Sequence, residues 1–176
     1  MTLSIWGLWI GSKADLLGSK LPSCLTKGER VYTVEVKTNV KAPLDKVFDL
    51  IGSIQNLPKY HPAYRKVEIV KRDGNLILWK AEAENGKFQG KLTLFPYKPQ
   101  EGFARIEIEH RDDAASGTHG VWTLKKIPSG TELNFRVDLA GPPESKRLIE
   151  SVYKKGKALF SEMLENFKKE AERDLI

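Results

Sequence analysis

From Val31 onward apolar and polar residues alternate with a regularity that the preceding positions lack. Tyr32, Val34, Val36, Thr38 and Val40 interleave with Thr33, Glu35, Lys37 and Asn39, the two-residue period of a strand with one buried face. Ala42-Pro43 then opens a helix, because proline fits a first helical turn. Leu44, Val47, Phe48, Leu50 and Ile51 give that helix an apolar face, and Gly52 marks its end. A second short helical turn is predicted around Asn56–Tyr60, stopping at His61-Pro62 because the residue before a proline avoids the helical region.

Six further strands follow. Val67 and Ile69 share a face ahead of the turn Asp73-Gly74-Asn75. Ile77, Trp79, Ala81 and Ala83 do so ahead of Asn85-Gly86. Phe88, Gly90, Leu92 and Leu94 line one side of a fourth strand that Pro96 and Pro99 are expected to close. Ala104, Ile106, Ile108 and His110 face one way on the fifth strand, and Gly120, Trp122 and Leu124 on the sixth. Pro128-Ser129-Gly130 turns into the seventh, where Leu133, Phe135, Val137 and Leu139 form the apolar side.

Strand after strand with one apolar face predicts an antiparallel sheet that is wet on one side and covered on the other. After Gly141-Pro142-Pro143 the period becomes helical, and Ile149, Tyr153, Gly156, Phe160, Met163, Phe167 and Ala171 trace one stripe. Lys146, Arg147, Lys154, Lys168, Lys169 and Arg173 occupy the opposite face. The long helix is the cover. The fold class is therefore α+β: a seven-stranded curved antiparallel sheet wrapped around a long C-terminal helix, with two short helices after the first strand.

A chain of 176 residues is one domain's worth, long enough to bury roughly 70% of its unfolded surface without metal or disulfide. Residues 29–176 make that domain. Residues 1–28 form an irregular N-terminal arm, apolar at first with Trp6 and Trp9 and then broken by Gly, Ser and Pro. Its apolar run is too short for a membrane span, and the first lysine, Lys13, follows that run where a secretory signal needs charge before it. Three readings of the arm stay open: a flexible leader, a hydrophobic clip that docks on this or another chain, or a translation start that truly lies near Leu25. The lone Cys24 has no internal partner, which fits a reducing, cytoplasmic setting.

Charge changes the picture little. The 29 basic and 23 acidic residues leave +6, but lysine and glutamate are interspersed, and the one tight basic cluster is Lys154, Lys155 and Lys157. Without an accompanying aromatic-and-basic motif nucleic acid is not an expected partner, while peripheral contact with a membrane stays open.

The order of elements, together with Lys41-Ala-Pro-Leu-Asp-Lys-Val-Phe-Asp-Leu-Ile51 and Gln55-Asn-Leu-Pro-Lys-Tyr-His-Pro62, resembles the SRPBCC superfamily. This START-like group includes polyketide cyclase/dehydrase proteins, lipid-transfer domains and birch-pollen-allergen relatives. The resemblance runs from about residue 30 to residue 176. It implies a helix-grip fold and a deep apolar cavity between sheet and long helix; it does not by itself imply catalysis, since few members share catalytic residues.

Catalytic motifs are absent from the sequence. His61, His110 and His119 lack metal-ligand spacing, no second cysteine joins Cys24, and no nucleophile elbow or zinc-protease helix occurs. Gly86-Lys-Phe-Gln-Gly90 is a turn and strand entry, not a phosphate loop. No metal and no cofactor are expected. His110 is the one catalytic candidate: alternation puts it on the face of Ile106 and Ile108, where an imidazole would exchange a proton with a bound molecule. Its alternative is a strand-end histidine that is hydrogen-bonded or wet. His119 has the opposite parity to Trp122 and is expected outside, and Glu107 and Glu109 fall on the outer face. Asp112-Asp113 looks like a solvated turn.

The candidate cavity residues are Trp79, Phe88, Leu92, Ile108, His110, Trp122, Phe135, Tyr153, Gly156, Phe160 and Met163. Each has plain core packing as its alternative. Gly156 is included because a glycine inside a helix costs roughly 1 kcal/mol against alanine, so a space-making role or close packing must offset it. Tyr60, His61 and Tyr64, with the turn at Asn85-Gly86, are candidate gates. The pattern predicts a binder or carrier of a lipid, isoprenoid or polycyclic aromatic. A cyclase or dehydratase using the same cavity is the second reading, and a protein-interaction or assembly module, docking through the arm, is the third.

Overall fold

The structure, a computed structural model, describes residues 32–83, 86–110, 118–140 and 146–173. The N-terminal arm, Cys24, Asn85, Asp112-Asp113 and Gly141-Pro142-Pro143 lie outside them. The elements run in the order β1 (Tyr32–Val40), α1 (Leu44–Gly52), a 3₁₀ turn (Ile54–Asn56), α2 (Leu57–Tyr60), β2 (Tyr64–Asp73), β3 (Leu76–Ala83), β4 (Gly86–Gln100), β5 (Phe103–His110), β6 (His119–Ile127), β7 (Gly130–Leu139) and α3 (Lys146–Glu172).

All seven strands join one antiparallel sheet in the order β1-β7-β6-β5-β4-β3-β2. Each consecutive pair from β2 to β7 is a hairpin, and β1, the first strand in the chain, pairs with β7, the last. The predicted inward faces are the buried ones: Val34, Val36 and Val40 on β1, Ile77, Trp79 and Ala81 on β3, Trp122 and Leu124 on β6, and Leu133, Val137 and Leu139 on β7. Helix α3 lies across this face beside β1, and its Phe160, Met163, Leu164, Phe167 and Ala171 are each no more than 2% exposed. This is the helix-grip fold, a curved antiparallel sheet closed around a long C-terminal helix.

Strand β4 departs from the prediction. It does not close at its prolines but runs on to Gln100, with Pro96 opposite Ile106 of β5. Strand β3 pairs with β4 only as far as Leu76↔Thr93, and Leu94 N–H donates to Asn75 O of the β2–β3 turn at 2.9 Å. Two residues on, the backbone nitrogen of Pro96 points the same way, to a side β3 has already left. A proline without an N–H costs the β4–β5 ladder nothing there.

Two tight junctions fix α1 against the sheet. Thr131 Oγ1 donates to Ala42 O at 2.8 Å in a fully buried site. Its neighbour Gly130 adopts φ +135° with its backbone pressed against Val40 and Lys41. At the C-terminal end of α3, Lys41 N–H donates to Glu172 Oε1 at 2.6 Å. The β1–α1 connection is thereby held between the last turn of α3 and the β6–β7 turn.

Candidate functional site

Between the sheet and α3 lies a cavity of about 80 Å³. The curvature of the sheet makes it: α3 packs closely on β1, while towards β2 the gap is filled by α1, the 3₁₀ turn and α2. One wall comes from these short elements and the strand beyond them, through Ile51, Ile54, Leu57, Tyr60, His61 and Tyr64. The floor is the sheet, contributing Trp79, Leu92, Leu94, Ile108, His110, Trp122 and Phe135. Phe160 and Met163 of α3 form the roof.

Aromatic rings hold the walls in place. Phe160 meets Phe135 edge-on at 5.3 Å between centroids, Phe135 lies 4.3 Å from Trp122, and Trp122 continues to Phe167 at 6.1 Å and from there to Tyr60 at 5.1 Å. On the other side His61 packs on Tyr64 at 4.6 Å, and Tyr64 meets Trp79 edge-on at 5.8 Å. Such tilted and edge-on pairs are favourable beyond the area they bury.

His61 is buried at 5% exposure, and its Nδ1 accepts the Ala63 N–H at 3.2 Å. That bond assigns the ring's one proton to Nε2 in the neutral tautomer. Burial disfavours the imidazolium and pushes its pKa down to about 3. Burial likewise raises the Tyr60 phenol above its ordinary value. His110 ends β5, half-buried, with its backbone N–H donating to Thr118 O at 3.0 Å. His119 lies on the outer face, where its Nε2 stands 3.1 Å from Glu107 Oε2, and Glu107 Oε1 also pairs with Arg105 at 2.7 Å.

Of the candidates read from the sequence, Trp79, Leu92, Ile108, His110, Trp122, Phe135, Phe160 and Met163 line the cavity together. Two do not. Tyr153 is 43% exposed and stacks on Tyr32 at 5.0 Å, because α3 runs along the edge strand and this side chain overhangs it. Gly156 does not enlarge the cavity: a Cβ there would meet Val34 Cγ2 at 3.3 Å, so the missing side chain is the space β1 occupies. Phe88 stands opposite Ala81 in the β3–β4 ladder, and its side chain is outside the described residues. Tyr60, His61 and Tyr64 are buried in the inner wall, whereas the half-exposed lining residues are Leu57, Ile108 and His110. The rim is therefore at α2 and the end of β5.

Sequence reasoning missed Ile51, Ile54, Leu57 and Leu94. Leu94 shares the inward parity of Leu92, and Ile51 lies on the predicted apolar face of α1, so both signals are present in the chain. Ile54 and Leu57 belong to a 3₁₀ turn and a four-residue helix, segments too short to show a period. Among the described residues no group of three His, Cys, Asp or Glu is placed to hold a metal ion, and no helix is long and apolar enough to cross a membrane.

Sheet, gripping helix and apolar cavity together define a START-like protein of the SRPBCC superfamily. Residues 32–172 match the family described as polyketide cyclase / dehydrase and lipid transport, and the chain belongs to it. No curated protein matches the chain in sequence. Among solved structures it is similar to the Zhui aromatase/cyclase from Streptomyces sp. R1128, at 17% identity and TM-score 0.60, over 84% of this chain and 97% of that one. A START superfamily protein from Mycobacterium smegmatis matches at 14% identity and TM-score 0.59, over 81% of this chain and 99% of its own. A hypothetical protein from Helicobacter pylori matches at 13% identity and TM-score 0.61, over 91% and 99%. At these identities the likeness is one of fold.

Proposed function

We propose that this protein binds a hydrophobic small molecule, a lipid, isoprenoid or polycyclic aromatic, in the cavity between sheet and α3 and carries it in the cytoplasm. The observation that carries the reading is the cavity's lining: hydrocarbon, thioether and aromatic side chains drawn from sheet, short helices and α3, with few polar tips. The family's description, which includes lipid transport, agrees with it. At about 80 Å³ the space is well below the several hundred Å³ of a typical ligand pocket. A ligand of the proposed size must therefore push the walls apart, and α2, whose Leu57 stands at the rim, is the wall that yields.

Native mass spectrometry of the purified protein, followed by organic extraction, tests this. A stoichiometric co-purifying lipid or aromatic is the expected result. A protein that is empty from every host and takes up none of a panel of fluorescent lipids and polycyclic aromatics would sink the proposal.

One observation favours a second reading, a cyclase or dehydratase-like enzyme. His110 sits at the rim on the inward face, where an imidazole reaches both a bound chain and solvent. On that reading His110→Ala keeps ligand affinity and loses turnover; retained turnover removes His110 from the mechanism.

A further inference from the structure

Gly120 holds an inward position on β6, paired with Ile108 of β5 on one side and Val137 of β7 on the other. A glycine inside a strand gives up a packing side chain, and it commonly marks a place where another group comes close. Here that group is an aromatic ring. A Cβ built on Gly120 would stand 3.3 Å from Phe135 Cε2, 3.6 Å from Phe135 Cζ and 4.0 Å from Ile108 Cβ. The far end of the Phe135 ring therefore rests on bare backbone at Gly120, beside Ile108, a half-exposed residue of the rim.

Phe135 and Ile108 both line the cavity. The floor under the ring cannot sink, because Gly120 is laddered to a strand on each side. A side chain at position 120 must therefore lift the ring, and its packed neighbours limit where it goes. Trp122 lies 4.3 Å from it between centroids, and Phe160 meets it edge-on at 5.3 Å. The open space it borders is the cavity of about 80 Å³, which a lifted ring would diminish. We infer that Gly120 is a specificity-determining residue: by letting Phe135 settle onto β6, it sets the largest ring system that the chamber admits. This rests on the ligand-binding reading above and deepens it. The wall at α2 yields to a cargo, the floor at Gly120 does not, and the bulk of the cargo is limited there.

The test is equilibrium dialysis of the full chain against phenol, 2-naphthol and 1-hydroxypyrene, using wild type, Gly120→Ala, Phe135→Leu and the double variant. The readout is the ratio of dissociation constants between the largest probe the wild type binds and the next smaller one. A change in folded fraction alone leaves that ratio where it was. One surplus methylene in an apolar pocket is worth about tenfold or more, so Gly120→Ala is expected to weaken the larger probe at least about tenfold more than the smaller. Phe135→Leu removes the ring and should shift the ratio the other way, and in that background the alanine should have no further effect. An unchanged ratio in Gly120→Ala, or an alanine penalty that persists without the ring, would overturn the inference and leave the ligand-binding reading intact. Should Gly120→Ala alone fail to fold, Phe135→Leu and the double variant decide it: equal ratios support the inference and unequal ones overturn it. Wild-type protein that binds none of the probes, or phenol alone, would overturn both.

Discussion

Gly156 of α3 lies directly against Val34 of β1: a Cβ built on the glycine would stand 3.3 Å from Val34 Cγ2 and 3.4 Å from Phe160 Cε2. The helix can approach the edge strand this closely because it has no side chain at that turn. Two opposing terms act on Gly156→Ala, a gain of up to about 1 kcal/mol in helix propensity and a tight contact with a β-branched neighbour. The net change is expected to stay within about 1 kcal/mol of zero. Gly156→Leu has no room at all and should cost about 2 kcal/mol or more through overpacking. Urea midpoints with unchanged slopes would report both; a leucine tolerated without loss would show that the helix and β1 are not in close contact.

Gly130 presents a harder constraint. Its φ of +135° is open to glycine alone among the common residues, and a Cβ would come within 2.2 Å of Val40 O. Gly130→Ala is therefore expected to destabilise by at least about 3 kcal/mol, since backbone rather than a side-chain tip would have to move. Gly74, with φ +56° and nothing within 4 Å, is the control: its alanine variant should cost about 1 kcal/mol. Equal losses at the two positions would mean that the β6–β7 turn does not brace the β1–α1 connection as described.

His61 ties stability to pH. The unfolded imidazole takes up a proton near pH 6.5 and the folded one only near pH 3, so between those values the unfolded state binds more protons. Stability from this group is complete above about pH 6.5 and falls as the pH drops towards 3. Between pH 7 and pH 5 the expected loss is about 2 kcal/mol. His61→Asn keeps an acceptor for the Ala63 N–H and removes the titration, so its stability should start lower and decline less over the same interval. Denaturation series at pH 5, 6 and 7 would separate the two slopes, and parallel slopes would mean that His61 titrates normally in the folded protein.

Alternation alone predicts most of this architecture, because each strand buries one face and the sheet has a single covered side. Ala104, Ile106, Trp122 and Leu133 are all where a two-residue period puts them. The stripe on α3 holds at Phe160, Met163 and Phe167 but fails at Tyr153, for a reason no helical period contains: the helix lies along the sheet's edge, and one flank of the stripe hangs past it. Val152 and Leu164, off the predicted stripe, are buried instead. Strand β4 shows the same kind of gap between local and global information. Proline ends a strand when it sits where an N–H is needed, and which side of β4 still has a neighbour is decided by where β3 stops.

The cavity was legible as a set of inward positions and not as a shape. Parity brings Trp79, Leu92, Trp122 and Phe135 to one side of the sheet, yet it cannot tell which of them touch each other and which leave a gap. Tyr60 and His61 show the limit most plainly. Sequence places them at the end of a short helical turn and offers them as gates, with no sign of their partners; in the fold they pack against Phe167 and Tyr64 in the inner wall, and Leu57 and His110 stand at the rim.

The far half of β4 also bears on how copies of this chain behave at high concentration. Beyond Thr93 the strand has β5 on one side and no β3 partner on the other, a stretch of backbone of the kind onto which a second molecule's strand can zip. Pro96 withholds a donor there, and the β2 edge is interrupted by register shifts at Tyr64/Lys66 and Ile69/Lys71. The sheet thus carries interruptions along two borders that work against its being extended into an aggregate.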